Sequence, residues 1–302
     1  MPPERAFDVS HLDGATAVFL RSRSRLFGVA YRMLGTVAEA EDAVQETWVR
    51  WQTADRSHVH DPVAYLVSVT TRLAINISRS VQSRRETYIG PWLPEPVDTS
   101  ADLTLGAERG EALELAVLLL LERLPPTERA AYVLREAFEY SHHQIAEVLE
   151  LTESNVRQIV TRARKHVTSE RRAPASKAEH ERLLRAFITA AQQGELAALE
   201  RLLGAEAVSY SDGGGRVRAA LAPIRSRAKV ARFIASFASH WWTGTTITWI
   251  QANGRPAAYL SRDGQPYALV SAEVSGEEID RILWVMNPAK LDSIAGRAPL
   301  SL

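Results

Sequence analysis

A chain of 302 residues is too long for one small domain, so two or three units of ordinary size are expected, each able to bury a core without staples. Lys plus Arg (36) balance Asp plus Glu (36), which excludes a global basic field, so any nucleic-acid partner has to be met by local patches. The absence of cysteine excludes disulfides, thiol nucleophiles and thiolate metal sites, and fits a reducing interior.

The opening "MPPERAFDVSHLDG" has no apolar signal core. From about 14 to 85 the chain reads as helices. "GATAVFLRSRSRLFGVAYRMLG" places apolar residues at helical spacing and stops at Gly35, and "TVAEAEDAVQETWVRWQT" starts again from Thr36. In that second helix Asp42 and Glu46 lie one turn apart, while Val44, Trp48 and Trp51 point roughly the other way. A polar loop, "ADRSHVHD", leads to a helix with Asp61 as N-cap and Pro62 at its first position, running through "VAYLVSVTTRLAINISRSVQSRRE". His58, His60 and Asp61 lie close together, but without further matched ligands they do not make a metal site.

Pro91, Pro94 and Pro96 in "YIGPWLPEPVDTSAD" forbid a regular helix and favour an extended strap. Trp92 and Leu93 would be wasted in solvent there, so they are expected to pack either on the neighbouring helices or on the C-terminal domain. Helices resume from about 102 to 168. Their greasiest run, "LELAVLLLLERL", is interrupted by Glu114 and Glu122 and is too short to span a bilayer. A soluble, cytoplasmic chain is expected.

"HQIAEVLELTESNVRQIVTRARKHV" is a helix-turn-helix pattern. Ile145, Leu149, Leu151, Val156 and Ile159 fall where two steeply crossed helices bury side chains, Ala146 sits at their closest approach, and Thr152 can cap the second helix. That helix presents Ser154, Asn155, Arg157, Gln158, Thr161, Arg162, Arg164 and Lys165 to base edges and phosphates of duplex DNA. The turn position usually held by glycine is Glu150. A solvated helical hairpin is the plain alternative.

After a joint at "SERRAPASKAE", two helices split at Gly194 are followed by candidate strands at 207–211, 216–224, 246–252, 256–262, 266–274 and 279–286, with a helix near 226–238. "SYSDGGGRVRAAL" reads as two strands joined by a glycine turn. A tight hairpin needs two glycines, and the third points to a backbone or partner approaching closely.

Taken in this order, "AEDAVQETWVRW", "AYLVSVTTRLAINISRS", the strap and "LPPTERAAYVLREAFEYSHHQIAEVL" resemble the extracytoplasmic-function (ECF) sigma factors of bacterial RNA polymerase over roughly residues 14–168. The resemblance implies that Asp42, Gln45 and Glu46 face the clamp helices of the polymerase's largest subunit. It implies that His58, Arg72, Asn76 and Arg79 serve the −10 element, with His58 near an unstacked base, and that the helix-turn-helix reads the −35 element as duplex. The C-terminal stretch is similar to SnoaL-like domains of the NTF2-like superfamily, helices closing over a curved sheet to leave a cone-shaped cavity.

A subgroup of these factors, of the sigma-J type found in actinobacteria, carries such a fused domain with the features Asp212–Gly215, Trp92–Pro96 and Asn287–Leu291; the family form has Asp where this chain has Ala289. The expected organisation is multidomain: two all-α sigma modules at 14–86 and 104–170, a proline-rich linker at 87–103, a second linker at 171–179, and an α+β NTF2-like cone at 180–302. Trp92, Leu93, Pro94, Asp212, Gly213, Gly214, Gly215, Asn287 and Pro288 are the expected interdomain regulatory residues. The third domain would replace a separate anti-sigma protein, with a small molecule in its cavity as a further partner; no cofactor, metal or membrane is implied. Two other classes stay open: a SnoaL-like isomerase or cyclase using Tyr210, Asp212, His240, Trp241, Trp242, Tyr259 or Tyr267, and a ligand-sensing regulator or stand-alone repressor using the helix-turn-helix alone.

Overall fold

The computed structural model describes residues 14–99, 113–169 and 175–295. Sequence expectations for the N-terminal segment, for the helix start near 102 and for part of the second linker fall outside those residues. No helix among the described residues is long and apolar enough to cross a membrane.

Three helices open the chain: α1 (Gly14–Leu34), α2 (Val37–Thr53) and α3 (Pro62–Glu86). Their boundaries follow local chemistry. Gly35 takes φ +74° at the end of α1. Asp61 accepts from Val63 N and Ala64 N, both at 3.0 Å, at the start of α3, beside Pro62. After the strap come α4 (Leu115–Leu121), α5 (Pro126–Glu136), α6 (His142–Leu149) and α7 (Glu153–Ser169). A capping box opens α6, with Ser141 and Gln144 serving each other's backbone, and Thr152 Oγ1 accepts from Asn155 N at 3.3 Å ahead of α7.

These two helical modules share one core, in which Leu26, Tyr31 and Leu34 of α1 belong to the same cluster as Leu118, Leu121, Leu134 and Ile145. A buried arginine ties them. Arg129 of α5 donates to Met33 O at 2.6 Å and pairs with Glu122 at 2.8 Å. Burial lowers its guanidinium to about 10, which leaves it charged at neutral pH.

The third unit has α8 (Lys177–Gln193) and α9 (Leu196–Leu202) split at Gly194, whose φ of +67° suits a left-handed cap. Strands β1 (Leu203–Asp212), β2 (Ile224–Arg225), β3 (Thr245–Ala252), β4 (Arg255–Arg262), β5 (Gln265–Ser275) and β6 (Glu278–Val285) follow, with α10 (Arg227–Ser236), α11 (Ala238–Trp241) and α12 (Pro288–Ala295). They form one sheet in the order β2-β1-β6-β5-β4-β3, parallel between β1 and β6 and antiparallel elsewhere.

Because side chains alternate along a strand, each strand feeds two cores. One face (Ala258, Leu260, Ala268, Val270, Ile282, Trp284) packs under α8 and α10 with Leu184, Phe187, Val230 and Ile234. The other (Val208, Tyr210, Tyr259, Leu269, Leu283, Val285) packs on Leu93 of the strap, Leu115 and Ala116 of α4, and Leu291 of α12. The greasy run is thereby explained. Helix α4 puts Leu115 and Ala116 against the sheet and Val117, Leu118, Leu120 and Leu121 into the helical core, so it is apolar all round.

One expectation fails. Residues 216–224 do not form a strand paired in a hairpin; only Ile224–Arg225 pair with β1, at Val208 and Ser209. The glycines instead make a helical-type turn, with Arg216 N and Val217 N both donating to Gly213 O, at 3.0 and 3.1 Å. The flank of β1 that a hairpin partner would use carries only the short β2, while β6 pairs along the opposite flank, up to Val285 against Asp212.

Candidate functional site

The strap is gripped from both sides. At the end of β1, Asp212 is fully buried and its carboxylate accepts from Leu93 N at 2.9 Å and from the Tyr88 hydroxyl at 2.5 Å, while pairing with the Lys290 ammonium at 2.7 Å. Lys290, on α12, also donates to Leu93 O and lies 4.3 Å from the Trp92 ring centroid and 5.2 Å from that of Tyr88. A buried carboxylate is tolerated here because a cation and two hydrogen bonds meet it. Burial, and then the bond to Asp212, push the Tyr88 phenol well above the ordinary tyrosine range, so Tyr88 acts as a neutral donor. Asn287 Nδ2 donates to the same Tyr88 oxygen at 2.9 Å, and its Oδ1 accepts from Ala289 N at 3.2 Å, opening α12.

The glycines answer to this contact. A Cβ on Gly214 would stand 2.3 Å from Asn287 Nδ2 and 2.9 Å from the Tyr88 oxygen, and one on Gly215 would stand 2.8 Å from Ile89. The turn therefore lies directly against the strap. Trp92 and Leu93 pack against both the helical module and the third domain. Leu93 sits in the sheet-face core, and Trp92 packs over Gly35 between α1 and α2, where a Cβ would be 2.6 Å from the indole.

A second grip was not foreseen. Asn253, in the turn between β3 and β4, is 1 % exposed and holds φ +53°. Its Oδ1 accepts from Val97 N at 3.0 Å, and its Nδ2 donates to the Tyr31 hydroxyl at 2.8 Å and to Leu113 O at 3.0 Å. Tyr31 in turn donates to Glu95 O at 2.5 Å, and Glu95 accepts from Val37 N at 2.9 Å. One amide side chain thus joins the first module, the strap, the start of α4 and the third domain. The sequence offered only the "NGRP" turn as a hint. Arg255 adds a largely buried pair with Glu114 at 2.7 Å.

The polymerase- and DNA-facing candidates are distributed unevenly. Asp42, Gln45 and Glu46 are exposed on α2, beside Val49 at 51 % exposure, opposite the buried Ala43, Val44, Thr47 and Trp51; Glu46 pairs with Arg50 at 2.9 Å. His58 is exposed on its loop, whereas a cavity of about 370 Å³ nearby is lined by Trp51, Arg56, Val59 and Pro62. Asn76 and Arg79 are exposed on α3. Arg72 is engaged: its guanidinium donates to Val148 O at 3.0 Å and Glu147 O at 3.4 Å and pairs with Glu150 at 2.9 Å. The carbonyl end of α6 suits a cation. Glu150, the residue in the glycine position of the turn, does take the left-handed conformation, at φ 55°.

On α7, Ser154, Asn155, Arg157, Gln158, Thr161, Arg162, Arg164 and Lys165 are all exposed. Arg162 and Arg164 reach back to Glu128 and Glu136 of α5, at 3.0 and 2.6 Å, and Arg157 pairs with Glu153 on its own helix at 2.5 Å.

The set considered for catalysis does not converge. Tyr210, Asp212 and Tyr259 face the strap side of the sheet, while His240 and Trp241 line a cavity on the opposite side. Among the described residues no group of acidic or imidazole side chains could hold a metal ion.

Comparison with known proteins accords with this geometry. Residues 18–85 match the family model "Sigma-70 region 2" and residues 114–167 match "Sigma-70, region 4". The chain is 37 % identical over 227 residues to the ECF RNA polymerase sigma factor SigJ of Mycobacterium tuberculosis, covering 74 % of this chain and 72 % of that one. It is 29 % identical over 295 residues to the probable ECF RNA polymerase sigma factor SigI of the same organism, covering 95 % and 98 %. The crystal structure of Mycobacterium tuberculosis SigJ superposes with a TM-score of 0.74 at 31 % identity, covering 95 % of this chain and all of that one (100 %).

Proposed function

Because this chain belongs to the extracytoplasmic-function sigma factors, which are transcription initiation factors rather than enzymes, we propose that its third domain restrains initiation in cis. Sigma factors bind core RNA polymerase and promoter DNA. In this chain the exposed Asp42, Gln45, Glu46 and Val49 form the surface offered to the polymerase clamp helices, with charge setting orientation and on-rate. His58, Arg72, Asn76 and Arg79 serve the −10 element. The free face of α7, from Ser154 to Thr161 with Lys165, serves the −35 duplex.

The observation that carries the restraint is the position of Arg72. A side chain meant for DNA is occupied by the helix-turn-helix meant for a different part of the same promoter. Both modules are then held by a strap whose amide groups are taken by Asp212 and Asn253 of the third domain. Initiation would require the strap to leave those two side chains and the modules to part. A polymerase that binds only the parted form has to supply the difference in free energy, so loosening the grip raises activity at a given polymerase concentration.

The test is promoter-directed transcription by purified bacterial core polymerase with the full chain and with its Asn253→Gly variant. Higher output from the variant at subsaturating sigma supports restraint. Equal or lower output removes it, while leaving the initiation role intact.

A further inference from the structure

On the face of the sheet away from the strap lies a cavity of about 490 Å³, a size that holds an organic molecule of ordinary dimensions. Phe233, Phe237, Trp241 and Trp284 give it aromatic walls, with Trp241 and Trp284 set edge-on at 5.3 Å between ring centroids. Arg218 and His240 stand among the lining residues. Arg218 is exposed at the edge of the cavity, where its guanidinium is open to a ligand. A permanently charged guanidinium at the edge of a cavity walled by four aromatic rings is complementary to a flat apolar molecule that carries an anionic group.

The same wall touches the strap. Ser211, Arg218, Ala219 and Ala220 line both this cavity and a cleft of about 400 Å³ on the other side, which Ile89 and Gly90 of the strap complete. Along β1, Ser211 lines the cavity while the next residue, Asp212, reaches the opposite way to hold Leu93 N. We propose that this cavity binds a small aromatic acid, recognised by Arg218, and that the bound acid reinforces the strapped form.

The direction follows from the brace. The segment from Arg216 to Leu221 has Ile89 and Gly90 behind it only while the strap is docked, so a ligand resting on Arg218 meets a formed wall in that state and a loosened one otherwise. Linkage makes the effect mutual: the acid protects the strap, and releasing the strap weakens the acid. This inference rests on the reading of the third domain as the strap's keeper, but its binding half stands apart from it.

The probes are 8-anilinonaphthalene-1-sulfonate, an aromatic anion, and its uncharged counterpart N-phenyl-1-naphthylamine, titrated into the full chain by fluorescence. One site per chain is expected for the anion. Arg218→Gln is expected to weaken the anion by about tenfold or more and to leave the neutral probe within about twofold, the loss typical of a charge-assisted hydrogen bond. Ser236→Trp, which fills the cavity from α10 while keeping Arg218, is expected to abolish both. Bound anion is expected to slow amide exchange of residues 88–99, and Asn253→Gly, far from the cavity wall, to weaken the anion.

Anion binding that survives Arg218→Gln or Ser236→Trp overturns the site. Binding that depends on both residues but leaves strap exchange unchanged overturns the coupling. Strap exchange indifferent to Asn253→Gly itself would fault the keeper reading instead, which separates the two failures.

Discussion

Replacing Asn253 by glycine removes one of the third domain's two side-chain grips on the strap without disturbing the backbone that presents it. The residue sits at φ +53°, which glycine adopts freely, whereas alanine there would add about 1 kcal/mol or more of left-handed strain. The lost carboxamide leaves Val97 N, Leu113 O and the Tyr31 hydroxyl without that partner. At about 1 kcal/mol net for each bond the grip weakens by roughly 3 kcal/mol, or on the order of a hundredfold in the equilibrium for strap release. The remaining contacts, Asn253 N to Val97 O at 2.9 Å and the Asp98–Ala252 bridge, keep the site assembled most of the time. Amide exchange followed by mass spectrometry on the segment around 94–99 should therefore accelerate by about that factor, with the amides of β5 unchanged. Asn253→Ala should accelerate it further. Exchange within about threefold of the parent in both variants would refute the reasoning, because three buried partners cannot be lost at so small a cost.

Other outcomes follow from the same contacts. Glu150→Gly relieves left-handed strain at φ 55° while deleting the ion pair to Arg72, so the turn should gain up to about 1 kcal/mol in thermal unfolding even as the two modules separate more readily. His180, 4 % exposed on α8 with Nε2 unpartnered among the described residues, is depressed from 6.5 to about 4 by burial, then by the Arg255 charge. The unfolded chain therefore takes up the proton first as pH falls, and stability present above pH 6.5 drains away toward pH 4. Between pH 8 and pH 5 this amounts to about 2 kcal/mol, and His180→Leu should remove that increment from urea unfolding. Lys165→Ala should flatten the salt dependence of binding to a −35 duplex by about 0.9 in log–log slope, whereas Arg162→Ala, whose guanidinium meets Glu128, should change it less.

What could be read from the sequence was chiefly what local chemistry dictates. The Asp61-Pro62 start, the Gly194 split and the Thr152 cap each follow from a residue acting on its own backbone, and the apolar Trp92-Leu93 pair in a proline strap signalled burial by its cost in solvent. The alternating run at 216–224 misled, since alternation reports polarity and cannot say that a segment will pair; the glycine turn folds Arg216 and Val217 back onto Gly213, and only Ile224–Arg225 reach β1. Asn253 and Glu150 were legible as turn residues and no more. Their partners, Tyr31 and Leu113 in one case and Arg72 in the other, are brought to them only by the packing of whole units.

The central claim is that the two helical modules are held together in the free chain and parted on the polymerase. The lack of native cysteine allows a donor and an acceptor dye to be placed cleanly at exposed positions, Gln52 on α2 and Thr168 on α7, through cysteines introduced there. Energy transfer should be high and uniform in the free chain, fall when core polymerase is added, and fall at lower polymerase concentration in Asn253→Gly. Transfer that stays unchanged as core polymerase binds, or a chain that does not bind core polymerase at all, would contradict the account.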